Sequence, residues 1–596
     1  VSKKSYEEEV LGKAYDSHLM RRLLSFLKPY QPKVALAVML LFLASVSQLA
    51  GPLLTKIGID TYISHGDAHG LILIGLVYLL ALILEFVLQF LQTYWVNWIG
   101  QHAMYDMRIR TFSHIQRLPV RYFDRHPIGR LITRVTTDIA SLHQMLSSGA
   151  VAIFGDIFKL VGIVIMLLVL NWKLALVTFS VLPLLFYATF LFKQLVRGIY
   201  RQIRVRIARI NAFLQENISG VAVVQLFGRE GKNFAKFERL NRDYLDDFLR
   251  TILYYATFYP VVKLISSLAV ALIIWYGGGY IIRGVLSFGA LVAFIQYAEM
   301  FFRPIMDLSE KYNIMQSAMA SSERIFNLLD EQTESVRPAR WSPPARVRGE
   351  IEFKHVWFAY NEDDYVLKNI SFQVKPGEKV AFVGATGAGK TTLMNLLLRF
   401  YEVNRGEILV DGVNLRDLDT HHLRQSFGMV LQDVFVFDGS VARNIRLQNM
   451  DISDEQVSRA ASDVNAISFI RKFPDTFEHR VLERGKGLSV GQRQLISFAR
   501  ALAFDPPVLI LDEATSSVDT ETELLIQDAL ERLMQKRTSL VVAHRLSTVQ
   551  NADRIIVLHK GEIREIGTHQ ELLACEGIYY RLYKLQYAYQ EKKHVA

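Results

Sequence analysis

The sequence holds one cysteine, Cys575, in 596 residues. That excludes an intrachain disulfide, a cysteine zinc cluster and an iron–sulfur site. Charge is scarce as well, with Asp, Glu, Lys and Arg forming 21% of the chain against about 25% in soluble domains. Apolar residues fill 51% with glycine left out of the count, and mean hydropathy is +0.19. A disordered chain, a collagen-like fibre and a disulfide scaffold are therefore excluded. Length alone allows about four soluble domains, and the composition argues against them. The formal charge of +10 points to nucleic acid or to a membrane, and its distribution decides which.

Long apolar runs are what the first half does contain. A span needs about 20 mostly apolar residues, and Val34–Thr55 carries no charge at all. Leu71–Ile99, Leu146–Leu170, Leu174–Phe192, Ile252–Ile282 and Phe288–Phe302 bring the expected spans to six, the last continuing as a helical pattern toward Leu329. Basic residues crowd the segments Arg108–Arg134 and Lys193–Arg250, whereas the opposite loops offer Lys56, Lys173 and Arg283. By the positive-inside rule the rich segments and both termini face the cytoplasm. The basic charge is thus topological, and nucleic acid is excluded as a partner because no basic patch with stacking aromatics accompanies it. Val1–Val10 is polar and acid-rich, so no cleavable signal peptide is expected. His18–Pro29 reads as an amphipathic helix at the cytoplasmic interface, with Leu19, Leu23, Leu24 and Leu27 opposing Arg21, Arg22 and Lys28. Gly100–Met145 and Lys193–Thr251 have few helix breakers. They are expected to be rods, the first with two arms reaching about 35 Å below the membrane.

Ionisable residues within spans are functional candidates. Glu85, Asp156 and Glu299 are assigned to a substrate cavity, each at mid-membrane or in the inner half by helical rise. Asp156 and Lys159 stand at i,i+3 and can pair. Glu85 and Glu299 have no local partner, so an acidic element favouring cationic amphipathic cargo is expected.

After a proline-bearing linker the periodicity changes. Strand-like Lys379–Val383 leads into Gly384-Ala385-Thr386-Gly387-Ala388-Gly389-Lys390-Thr391, and a helical pattern runs on from Thr392 to Phe400. This is G-x-x-x-x-G-K-[ST] in its strand–loop–helix setting. Its glycines let backbone N–H groups turn inward around phosphates at a helix N-terminus. Lys390 supplies a point charge and Thr391 an oxygen for Mg²⁺. Val508–Leu511 reads as a buried parallel strand ending in Asp512 and Glu513, where α/β sheets place their ligands. Asp512 suits the Mg²⁺ shell and Glu513 suits polarising an attacking water.

Leu488-Ser489-Val490-Gly491-Gln492 lies between these motifs. The order phosphate loop, Gln432, Leu-Ser-x-Gly-Gln, Asp512-Glu513, Ser516-Ser517-Val518-Asp519 and His544 resembles the nucleotide-binding domain of ATP-binding-cassette (ABC) proteins. Leu118–Asp124 with Gly129–Leu131, and Ser219–Glu230, resemble the two cytoplasmic loops of multidrug-type exporter half-transporters. The resemblance covers about Leu19 to Tyr587.

It implies an elbow over residues 1–33, a six-span helical domain with long cytoplasmic extensions over 34–330, a linker over 331–349 and an α/β P-loop NTPase domain over 350–590. It also implies ATP and Mg²⁺ as cofactors and a multi-pass protein of the plasma (bacterial inner) membrane. Tyr360 should stack on adenine. Gly384, Thr386, Gly387, Ala388, Gly389, Lys390, Thr391 and Thr392 should cradle phosphates. Gln432 should contact Mg²⁺ or water. Ser489, Gly491 and Gln492 should face ATP held by another cassette, and Asp519 should signal across that face. Glu513, His544 and Gln432 form the catalytic set, and Glu483-Arg484-Gly485 should meet the cytoplasmic rods. A cassette with one phosphate loop and one signature cannot complete a site, so a second half-transporter is the implied partner.

The family has glycine where this chain has Val490. A β-branched residue disfavours positive φ and adds bulk near a phosphate. Sites using this signature are expected to hydrolyse poorly, and sites using this phosphate loop to hydrolyse well. That favours one subunit of a heterodimer over a homodimer. Export of small amphipathic compounds is the expected activity, with lipid flipping or peptide export on the same scaffold as alternatives. Gly577–Tyr589, rich in tyrosine, is expected to pack as a helix on its own cassette.

Overall fold

The computed structural model describes residues 16–334, 347–361, 364–512, 520–543 and 546–586. Two compact units result: one runs to Arg117 and from His126 to Glu331, and the other combines Leu118–Arg125 with the chain from Gln332 onward.

Among the described residues of the first unit five helical stretches are long and apolar enough to cross a membrane: Lys28–Ile63, Ala68–Ile115, Ile128–Phe179, Leu182–Ser219 and Glu230–Ile282. The sixth apolar stretch, Phe288–Phe302, opens a helix that continues to Asp330. The 53 residues of Glu230–Ile282 make a helix of about 80 Å. That is far more than about 30 Å of hydrocarbon requires, so the expected rods are present. Large apolar residues such as Leu80, Phe86, Val169 and Leu264 are exposed along these helices, as lipid-facing surfaces are. One boundary differs from the sequence reading. Asn171 leaves the helical region and its side chain accepts from the Leu174 amide; helix resumes there to Phe179, and after Ser180 and Val181 a new helix opens at Leu182 with Pro183 in its first turn. The run Leu174–Phe192 is therefore broken at Ser180–Val181, where Pro183, lacking an N–H, cannot donate back to the preceding turn.

Polar ties fix this unit. Asp60 holds the end of the first span to the start of the sixth: it accepts from Ser287 Oγ at 2.5 Å and from the Gly289 amide at 2.8 Å, with Lys56 Nζ at 3.4 Å. A Cβ on Gly289 would stand 2.6 Å from the Lys56 carbonyl oxygen, so glycine is required there. The interfacial helix is Ser17–Ser25, capped by Asp16. Leu23 is buried, but Leu24 is exposed. Arg22 lies over the Phe326 ring and pairs with both carboxylate oxygens of Asp330 at 2.6 and 2.7 Å, holding that carboxyl below its ordinary range. Helices Leu182–Ser219 and Glu230–Ile282 pack along each other, with Arg206 bonded to Asp243 and Asp247 at 2.8 and 3.2 Å. Their connection leaves Val223, Leu226 and Phe227 exposed.

In the second unit a six-stranded sheet runs Glu562–Gly567, Arg554–His559, Lys379–Val383, Thr538–Val542, Val508–Asp512 and Phe427–Val430. All pairs but the first are parallel. A four-stranded antiparallel sheet orders Tyr365–Val374, Ile351–Ala359, Arg405–Val410 and Val413–Asn414. Helix Ile578–Gln586 buries Tyr579 completely within this unit's core. Its hydroxyl lies 2.7 Å from His569 Nδ1, so the described part of the tyrosine-rich end, Ile578–Gln586, packs on its own cassette.

Asp138 is buried and accepts from Ser321 Oγ at 3.0 Å and from Arg324 through Nε at 3.1 Å and Nη2 at 2.5 Å. Replacing it with alanine removes a charge-assisted network worth about 2 kcal/mol. Asp138→Ala should lower the apparent Tm of the detergent-solubilised protein in a thermal-shift assay.

Candidate functional site

Strand Lys379–Val383 delivers the chain to the phosphate loop, and helix Lys390–Leu397 leaves it. Gly387 and Gly389 take φ of 83° and 102°, a region that favours glycine. A Cβ on Gly384 would lie 2.3 Å from the Leu558 carbonyl oxygen. Thr386 and Gly387 are exposed at the turn, whereas Ala388, Gly389 and Lys390 are buried. The Lys390 ammonium donates to the carbonyls of Gly384 and Ala385 at 2.6 and 3.2 Å. Burial pulls its pKa down and the charge of Asp512 opposes that shift. The loop thus places a nearly buried cation at a helix N-terminus, a setting that selects anions.

Beside the loop, Thr391 Oγ1 donates to Asp512 Oδ2 at 3.3 Å. Asp512 ends a wholly buried strand. Two hard oxygens converging beside a phosphate loop fit Mg²⁺, which takes one or two protein ligands and completes its shell from phosphates and water. Gln432 is exposed two residues beyond Val430, whose strand pairs in parallel with the Asp512 strand. Arg500 fastens the segment that follows, donating to the carbonyls of Phe435 and Asn444; burial lowers its pKa. Arg500 was not foreseen, since nothing in its spacing marks a loop some 65 residues away.

Tyr360 directly follows strand Ile351–Ala359 of the antiparallel sheet, and its hydroxyl stands 3.2 Å from that of Thr392. Its ring therefore stands beside the phosphate-loop helix. Ser489 caps helix Val490–Ala503 in a reciprocal box with Gln492, at 3.2 and 3.0 Å, and Gly491 is buried in the first turn. Val490 is the first helical residue and is not among the residues with positive φ. The conformational objection to valine is thereby corrected: the signature's third position is right-handed helix, where any L-residue fits. What remains is bulk, because the side chain is 43% exposed. Arg484 adopts φ of 58° and its amide donates to the Val436 carbonyl, leaving Glu483 and Arg484 exposed. Glu513, Asp519 and His544 lie outside the described residues.

The three acidic residues of the spans have different surroundings. Asp156 is ion-paired with Lys311 of the helix Phe288–Asp330, a partner that the local pairing with Lys159 did not anticipate. Glu85 is half-buried among exposed Leu84 and Phe86, and Glu299 is exposed.

A phosphate loop joined to a sheet ending in a magnesium-type aspartate, in a chain whose other unit carries membrane-length helices, defines a membrane-coupled NTPase. Residues 34–305 match the model of the ABC transporter transmembrane region, and residues 367–516 match that of the ABC transporter domain. The chain is 38% identical over 585 residues to the uncharacterised ABC transporter ATP-binding protein YknV of Bacillus subtilis, covering 98% of this chain and 96% of that protein. It is 36% identical over 569 residues to an ATP-dependent lipid A-core flippase of Syntrophus aciditrophicus, covering 96% and 94%. It is 38% identical over 525 residues to the probable multidrug resistance ABC transporter ATP-binding/permease protein YheH of Bacillus subtilis, covering 87% and 77%. The chain belongs to the ABC transporters: it is an exporter-type half-transporter with fused membrane and nucleotide-binding domains, an ATPase coupled to transport.

Gly384→Ala should force the loop away from Leu558 and reduce kcat/KM for ATP about 100-fold, the scale of an ångström-level misplacement at a reacting group. Steady-state hydrolysis against ATP concentration checks this.

Proposed function

We propose that this half-transporter exports hydrophobic or amphipathic compounds from the cytoplasm or inner leaflet, working by alternating access as one subunit of a heterodimer in a bacterial inner membrane. The observation carrying the reading is the Lys390–Thr391–Asp512 constellation in a chain that also carries membrane-length helices. In this reading Tyr360 stacks on adenine, while Thr391, Asp512 and Gln432 serve Mg²⁺. Glu513 polarises the attacking water, His544 grips the γ-phosphate and Asp519 signals between cassettes. ATP closes two cassettes, the rods convey the closure to the spans, and hydrolysis resets them. The exposed Leu226 and Phe227 at the rods' connection suit docking on a cassette.

The heterodimer now rests on bulk alone. Val490 projects beside Ser489, at the face offered to a partner's ATP, so this signature supports hydrolysis weakly while the phosphate loop here supports it well. Glu85 and Glu299 supply the acidic element of the cavity. Asp156 contributes less to it because Lys311 neutralises its charge. The lipid A-core flippase relatives favour lipid translocation as the second reading.

Purified alone the chain should hydrolyse ATP slowly, and a partner half-transporter with an intact signature should raise the rate. Glu513→Gln in that pair should keep nucleotide binding and lose about 10²–10⁴ in turnover, the contribution of a general base. Brisk hydrolysis by the single chain contradicts the heterodimer, and rapid steady turnover by Glu513→Gln contradicts the role of Glu513. For cargo, Glu299→Gln should slow ATP-driven uptake of a cationic dye into inside-out vesicles more than uptake of a neutral one. Equal effects on both dyes contradict the acidic element.

A further inference from the structure

Tyr401 stands between the nucleotide site and the first cytoplasmic segment. On one side its ring meets the Tyr360 ring edge-on, with centroids 5.1 Å apart at 89°, and it lies 5.6 Å from the Phe358 ring. On the other side its hydroxyl donates to the carboxylate of Asp124. Asp124 belongs to helix Val120–Arg125, which groups with the cassette unit; Tyr122 in it and Leu118 just before it are buried. In sequence this helix joins the membrane-length stretches Ala68–Ile115 and Ile128–Phe179. Tyr401 itself is pinned by its neighbours. Arg399 Nη1 donates to the carbonyls of Leu415 and Leu418 at 3.1 and 3.0 Å, and its Nε donates to Glu402 at 2.9 Å.

We propose that Tyr401 is a positioning residue that ties adenine occupancy at Tyr360 to the placement of helix Val120–Arg125, and so couples nucleotide binding to the spans. The proposal rests on the reading of Tyr360 as the adenine platform. A base laid on Tyr360 restricts that ring, and an edge-to-face partner follows it because such pairs favour a defined geometry. A phenol is a rigid plate, so a displacement of the ring reaches its hydroxyl without loss through rotatable bonds. There the acceptor is a carboxylate, which holds a phenolic donor more strongly than a neutral oxygen does. Tyr401 touches neither phosphate-loop residues nor Asp512 in the bonds and ring contacts described above, so its effect is expected on coupling rather than on hydrolysis.

The test uses the full chain with its partner half-transporter in proteoliposomes, reading ATP hydrolysis and uptake of a fluorescent amphipathic dye in the same preparation. Tyr401→Phe keeps the ring and removes the donor. It should leave KM for ATP and basal kcat within twofold of the parent, while dye transported per ATP falls threefold or more. Asp124→Ala should reproduce that loss of coupling, and the double variant should be no worse than either single variant, the mark of one shared interaction. Parent-like transport per ATP in Tyr401→Phe overturns the proposal. So do an additive double variant and a proportional loss of hydrolysis and transport. Tyr360→Leu tests the underlying reading separately. A fivefold or greater rise in KM for ATP supports adenine as the input, and an unchanged KM overturns it whatever the Tyr401 and Asp124 variants do.

Discussion

Backbone amides can close around a phosphate only where side chains leave room, and that constraint organises the soluble half of this protein. Gly384 has the Leu558 carbonyl against the place a Cβ would occupy, and Gly387 and Gly389 turn the chain through positive φ. The turn then hands its amides to a helix start and sets the Lys390 ammonium inside it. The central strands stack in parallel around that point, so the ends of the Lys379–Val383, Val508–Asp512 and Phe427–Val430 strands meet on one edge. Register brings Asp512 beside Thr391 of the loop.

The membrane half solves a different problem with long helices. Apolar faces are left for lipid, while a few polar ties, of which only the Asp138 one is buried, fix which helix packs on which: Asp60 with Ser287 and Gly289, Asp138 with Ser321 and Arg324, Arg22 with Asp330. Ties of this kind specify geometry more than they add stability, since desolvating a charged pair offsets much of its attraction. Helices of such length, held at a few points, suit the transmission of displacement.

Local pattern carried much of this, and long-range pairing carried the rest. The phosphate loop, the apolar strand ending in Asp512 and the apolar runs were legible because each is contiguous and each has a chemical reason for its spacing. The Asp156–Lys311 pair was not, because its partners lie 155 positions apart, and Lys159 at i,i+3 offered a nearer alternative. Val490 was misread for another reason: whether position 490 needs glycine depends on whether the helix starts before or after it, and Ser489 as cap settles that it starts there. Arg500 and Tyr401 carried no motif at all; their importance comes from what the fold brings against them.

The central claim is that nucleotide turnover at this site drives movement across the bilayer. Simultaneous recording of ATP hydrolysis and dye flux in proteoliposomes holding this chain and its partner tests it most directly. The account requires flux that starts with Mg²⁺-ATP, stops when hydrolysis is blocked and scales with it. Sustained hydrolysis with no vectorial flux of any amphipathic or lipid probe would contradict it.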